Sequence, residues 1–120
     1  MSKDYACIPI THDHQVGHGW GKAPTVAIAE IESGAILSWR VEEVGWDVLH
    51  DSGEGNHHAR VVRFIRDNAV TLVVAQHMGE PMQNMLTKLG VRVALGAAGD
   101  ARTAVLGFAA TDGERSSPIA

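Results

Sequence analysis

The sequence predicts an α/β domain, a mixed five-stranded sheet with helices on its faces, in the order β-β-β-α-β-α-β-α. Three observations carry that expectation. Extended apolar runs joined by a turn signal fill the first half. Short β-branched runs alternate with stretches of helical period in the second, and glycines punctuate the boundaries. A length of 120 residues fits a single domain.

Residues 5–10 form the first apolar run, in which Pro9 removes a ladder donor near the end. A loop rich in Gly and His spans 11–24. Residues 25–31 read as the second strand, with Val26, Ile28 and Ile31 apolar. Glu32, Ser33 and Gly34 signal a hairpin from which 35–41 return antiparallel. After a loop at 51–55, Asn56 is placed to cap a helix reaching about Asn68, with Val61, Val62 and Ile65 on one face. Residues 71–75 are unbroken and β-branched, as a parallel strand buried on both faces requires.

Pro81 suits a first helical turn, and Met78, Met82, Met85, Leu86 and Leu89 make a helical stripe that Gly90 terminates. Residues 91–95 supply the last strand. Residues 96–100 lead into a helix with Ala101, Ala104, Val105 and Phe108 spaced i, i+3, i+4, i+7. Residues 1–110 are expected as one domain and 111–120 as a flexible polar tail.

Composition narrows the function. A formal net charge of −4 without any basic cluster argues against nucleic acid as a partner. No apolar run approaches membrane-spanning length, and the first residues lack a signal-peptide pattern, so a cytoplasmic protein without a membrane partner is expected. The single cysteine, Cys7, excludes an intrachain disulfide framework and a Cys-only metal site. Within a strand it reads as a small buried hydrophobe. A serine-hydrolase elbow and a P-loop are absent. Residues 5–10 carry no carboxylate of the kind a two-metal nuclease needs, so no enzyme is expected.

Seven histidines stand out. Parallel connections leave their loops beyond the C-terminal strand ends, the usual ligand position in an open α/β sheet. That gathers the loops 11–24, 76–80 and 96–100, together with the start of the first helix. His12, His14 and His18 lie in a loop whose Gly17, Gly19 and Gly21 allow close backbone approach to a ligand. His57 and His58 open a helix, where free N–H groups favour anions, and a single one of the two is expected to face inward. His77 ends the buried strand. Met78 reads as packing rather than as a thioether ligand. His50 has no assigned mechanism. Neutral imidazole suits copper, iron or zinc.

These residues carry a family likeness. Gly21-Lys22-Ala23-Pro24 before the second strand, Gln76-His77-Met78-Gly79 after the central one, and Leu89-Gly90-Val91-Arg92-Val93 with the glycines that follow appear in order. With these, the chain from about Tyr5 to Phe108 resembles the dinitrogenase iron–molybdenum cofactor biosynthesis family, which includes nitrogenase accessory and molybdenum–copper orange proteins. Trp20 stands where that family has Phe, Gly19 where it often has histidine, and His18 one residue earlier. The resemblance implies a three-layer, ribonuclease H-like α/β/α fold. It also implies carriage, without catalysis, of a metal–sulfur cluster containing molybdenum and/or iron or copper, in company with cofactor-assembly proteins.

On that footing Gly19, Trp20, Gly21, His57, Gly79 and Gly99 are the expected cluster contacts, and His12, His18, His58 and His77 the expected metal ligands. The rival reading is an interaction or regulatory module of the same fold without metal cargo, anchored by Trp20, Trp39 and Trp46. The oligomeric state is not encoded in these patterns.

Overall fold

The computed structural model describes residues 3–17, 19–46 and 54–116; for 54–57 and 109–116 it is the backbone alone that is described. Strands β1 (Asp4–Pro9), β2 (Thr25–Glu32) and β3 (Ala35–Glu43) come first. Then follow α1 (Glu54–Asp67), β4 (Leu72–Val74), α2 (Glu80–Lys88), β5 (Arg92–Ala94) and α3 (Ala101–Ser116). The five strands lie in the order β3-β2-β1-β4-β5. The pairs β1–β2 and β2–β3 are antiparallel, while β1–β4 and β4–β5 are parallel, which makes the sheet mixed as expected.

Side-chain alternation divides the core into two layers. Cys7, Val26, Ile28 and Val73 face α1 and α2, whose Val61, Ile65, Met82 and Leu86 are buried against them. Ala6, Ile8, Ala27, Ala29, Leu72 and Val74 face the opposite side, where Ala101 and Val105 of α3 close the second layer. Both faces of β4 are therefore covered, and its three residues are fully buried. The result is helix, sheet, helix.

Local chemistry explains the connections. Ser33 (φ 54°) and Gly34 (φ 79°) both adopt left-handed backbone, the geometry of the two-residue turns that match strand twist. Pro81 occupies the first turn of α2, and Gly90 (φ 83°) ends the chain's helical run with its N–H bonded to the Thr87 carbonyl. At the end of the sheet away from the parallel strands' C-termini, Asp4 accepts from the Thr71 hydroxyl (3.0 Å) and from Arg92.

Two expectations change. Asn56 lies inside α1 and not at its cap, because the helix begins two residues earlier, at Glu54. β1 starts at Asp4, so the strand does carry a carboxylate, but one committed to Thr71 and Arg92. The backbone of α3 runs through Ser116, and residues 117–120 lie outside the described residues. Among the described residues no helix is long and apolar enough to cross a membrane.

Candidate functional site

The C-terminal ends of β1 and β4 open onto one cavity of about 1030 Å³. The antiparallel hairpin adds a third wall, because it returns Val41 and Glu43 of β3 to the rim where β2 begins at Thr25. The floor is apolar. Trp20 is fully buried there, edge-on to Trp46 with ring centroids 5.0 Å apart, and Trp46 in turn meets Phe64 at 5.5 Å. Met78 and Met82, 4% and 5% exposed, complete it.

Among the described residues four histidines line this cavity: His12 and His14 from the loop after β1, His58 from the first turns of α1, and His77 from the loop after β4. Imidazoles scattered along the chain therefore share one concavity. They are spread around its wall, since among the described residues no three His, Cys, Asp or Glu side chains are grouped closely enough to hold one metal ion. The remaining lining charges are Lys22 and Glu43.

The loop carrying His12 and His14 is held from two sides. Ile10 bridges back to Val16, and the Gly17 amide donates to the Pro9 carbonyl at 2.8 Å. From the other side, Val16 donates to the Gly99 carbonyl at 2.8 Å. His14 itself has left-handed backbone (φ 60°), uncommon for a side chain of its size and a local strain that these contacts sustain. The loop after β4 is pinned by Gln83, whose side-chain amide donates to the Met78 carbonyl (2.9 Å) and whose backbone N–H donates to that of Gly79 (3.1 Å).

Of the expected contacts, Gly19, Trp20, Gly21, Gly79, His12, His58 and His77 line the cavity. Gly99 does not. Its left-handed φ of 83° serves the turn into α3, and its carbonyl supports the histidine loop from behind. His18 and His50 lie outside the described residues, as does the side chain of His57, whose backbone is in the first turn of α1. Met78 and Met82 are core packing and cavity wall at once. Cys7 is buried, and that burial pushes its thiol well above the ordinary range, so it stays neutral. Val41 and Glu43 of β3 are lining residues outside the loops that the sequence pattern gathered at the rim.

Two glycines at the rim are not there for packing. A Cβ on Gly19 would meet no atom within 4 Å, and one on Gly79 meets only Pro81 Cδ at 3.9 Å. Both also have ordinary backbone, Gly79 with φ −67°. Each leaves open room beside a cavity it lines. Trp20 and Trp46 are core residues, so neither presents a ring to a partner, and Trp39 is half-buried beneath the Arg102 guanidinium at 4.7 Å.

The profile of a family described as dinitrogenase iron–molybdenum cofactor matches residues 4–111. The chain belongs to that family. Solved relatives share the fold: PH0822, known from a crystal structure, superposes with a TM-score of 0.72 at 21% identity, over 89% of each chain. A Methanocaldococcus jannaschii protein described as a candidate dinitrogenase gives 0.67 at 11% identity, over 93% of each chain. A Thermotoga protein described as a candidate NifB protein gives 0.62 at 19% identity, over 89% of this chain and 88% of that one. No curated protein matches the chain.

Proposed function

We propose that this family member binds and carries a metal–sulfur cluster, an iron–molybdenum cofactor precursor or a molybdenum- or copper-containing sulfide, in the cavity at the C-terminal edge of the sheet, and hands it on without chemical change. The observation that carries this reading is the convergence of His12, His14, His58 and His77 on one cavity that no cysteine lines. A cluster is several ångströms across, so imidazoles spread around a wall suit it better than they suit a single ion. Imidazole N–H groups and the backbone at Gly19 and Gly21 would donate to its sulfides. The start of α2, with no side-chain cap on its N–H groups, favours an anion on the same wall.

Without thiolate ligands the grip is weak enough for transfer, which fits a carrier working with cofactor-assembly proteins in the cytoplasm. No nucleic acid or membrane partner is part of this reading. Neither is catalysis. The test is anaerobic reconstitution with tetrathiomolybdate and copper, or with an isolated iron–molybdenum cluster. Visible absorbance should co-elute with the chain and be lost in His58→Ala/His77→Ala. Colour that fails to co-elute, or that survives the double substitution, rejects the reading.

A further inference from the structure

The two edges of the sheet are unlike. β5 closes one side with three residues, too short to template another strand, whereas β3 closes the other with nine and contains neither Lys nor Pro. Among the described residues no strand pairs with the outer edge of β3. Its register on β2 skips Leu37, between Glu30↔Ser38 and Ile31↔Ile36, so a bulge breaks one end and the regular edge runs from Ser38 to Glu43. The Thr25 carbonyl accepts from the Ile10 N–H, and the Pro24 carbonyl accepts from the Val44 N–H. Those two bonds fix the alternation: Ser38, Arg40 and Glu42 turn their peptide groups to β2, while Trp39, Val41 and Glu43 turn theirs outward. Val41 is 45% exposed on that edge.

We propose that a second copy of this chain pairs with this edge, β3 against β3 and antiparallel, about a two-fold axis at Val41. Outward peptide groups must face outward ones, which limits where the axis can fall. An axis at Ser38 or Trp39 pairs across the Leu37 bulge, and one at Arg40, Glu42 or Glu43 sets like charges opposite each other. At Val41 neither fault arises. Arg40 there stands opposite Glu42 of the second copy, in the non-hydrogen-bonded position where side chains approach most closely. Within each chain Arg40 Nε already lies 2.7 Å from Glu42 Oε2, so the two-fold builds a square of alternating charge. Val41 meets its own copy on the axis, a self-complementary contact. Because Val41 and Glu43 line the cavity, the dimer sets the hairpin walls of two cavities side by side. No metal or cluster is required.

The test is sedimentation equilibrium of the purified chain over a concentration series. A dimer with a dissociation constant below about 1 mM is expected, weakening as salt rises. Arg40→Glu and Glu42→Arg should each weaken it about tenfold or more, since each sets like charges opposite one another on both sides of the axis. Mixing the two variants should restore association as a heterodimer, because every opposed pair is then of opposite sign. A parent that stays monomeric at about 1 mM, variants that dimerise as the parent does, or a mixture that stays monomeric overturns the proposal. Amide hydrogen exchange of the unsubstituted chain gives an answer independent of variant folding. The outward N–H groups of Trp39, Val41 and Glu43 should exchange more slowly as the concentration rises. Rates that do not change with concentration, or slowing confined to other elements, overturn the pairing.

Discussion

The amide of Ala101 donates to the carbonyl of His14 at 3.0 Å, tying the first turn of α3 to the loop that brings two histidines to the cavity. The bridge between Gln15 and Asp100 runs beside it. A helix on one face of the sheet thus positions cavity-lining residues at its edge, and the turn at 96–100 acts as a support and not as a wall.

Asp100 is the residue that starts that helix. Its Oδ2 accepts from the Thr103 N–H (3.0 Å) and hydroxyl (2.9 Å), and these bonds hold its carboxyl below the usual range. A depressed folded-state value means stability that is present above the unfolded value and lost as pH falls through the folded one. Asp100→Ala should therefore melt at a lower temperature than the parent at neutral pH, with the gap closing as pH falls below about 4. Thermal denaturation across a pH series checks this; a gap independent of pH contradicts it.

Trp20 should be the most costly cavity residue to truncate. It is fully buried and packs edge-on to Trp46, so Trp20→Ala removes a large ring from the core beneath the cavity. Chemical denaturation should show a loss of about 3–5 kcal/mol, and a loss under about 1 kcal/mol would show the floor to be loosely packed.

Cys7 should be silent in the folded chain. With its thiol fully buried and held neutral, it should react with a chromogenic disulfide reagent only after denaturant is added. Rapid reaction of the native chain would contradict its placement between β2 and β4.

Gly19→Ala and Gly79→Ala separate binding from folding. Neither added methyl meets protein atoms closely, so both variants should keep the parent's melting temperature. Both should take up less thiomolybdate, because the methyl projects beside the cavity. Gly99→Ala should do the opposite first, losing about 1–2 kcal/mol of stability through its left-handed backbone. Equilibrium unfolding together with uptake measurements distinguishes the two classes.

Much of this was legible because its causes are local. Ser33 and Gly34 mark a two-residue turn by residue type, the run from Leu72 to Val74 is apolar because both its faces are covered, and Gly90 ends α2 by its conformational freedom. The rim followed from topology alone, and His12, His58 and His77 came with it. What escaped depends on distant partners. Asn56 looks like a cap, but the helix begins at Glu54. Gly99 is not among the cavity's lining, and its carbonyl accepts from the Val16 N–H, a pairing that residue type does not reveal. The placement of Trp20 and Trp46 in the core reflects packing between the floor of the cavity and α1, which residue type does not reveal.

The most direct test of the carrier account is anomalous diffraction at the molybdenum edge from crystals of the chain grown with tetrathiomolybdate. The account predicts one strong peak inside the cavity, between the walls that carry His58 and His77. A peak elsewhere on the surface, or none in crystals whose protein took up the colour, would contradict it.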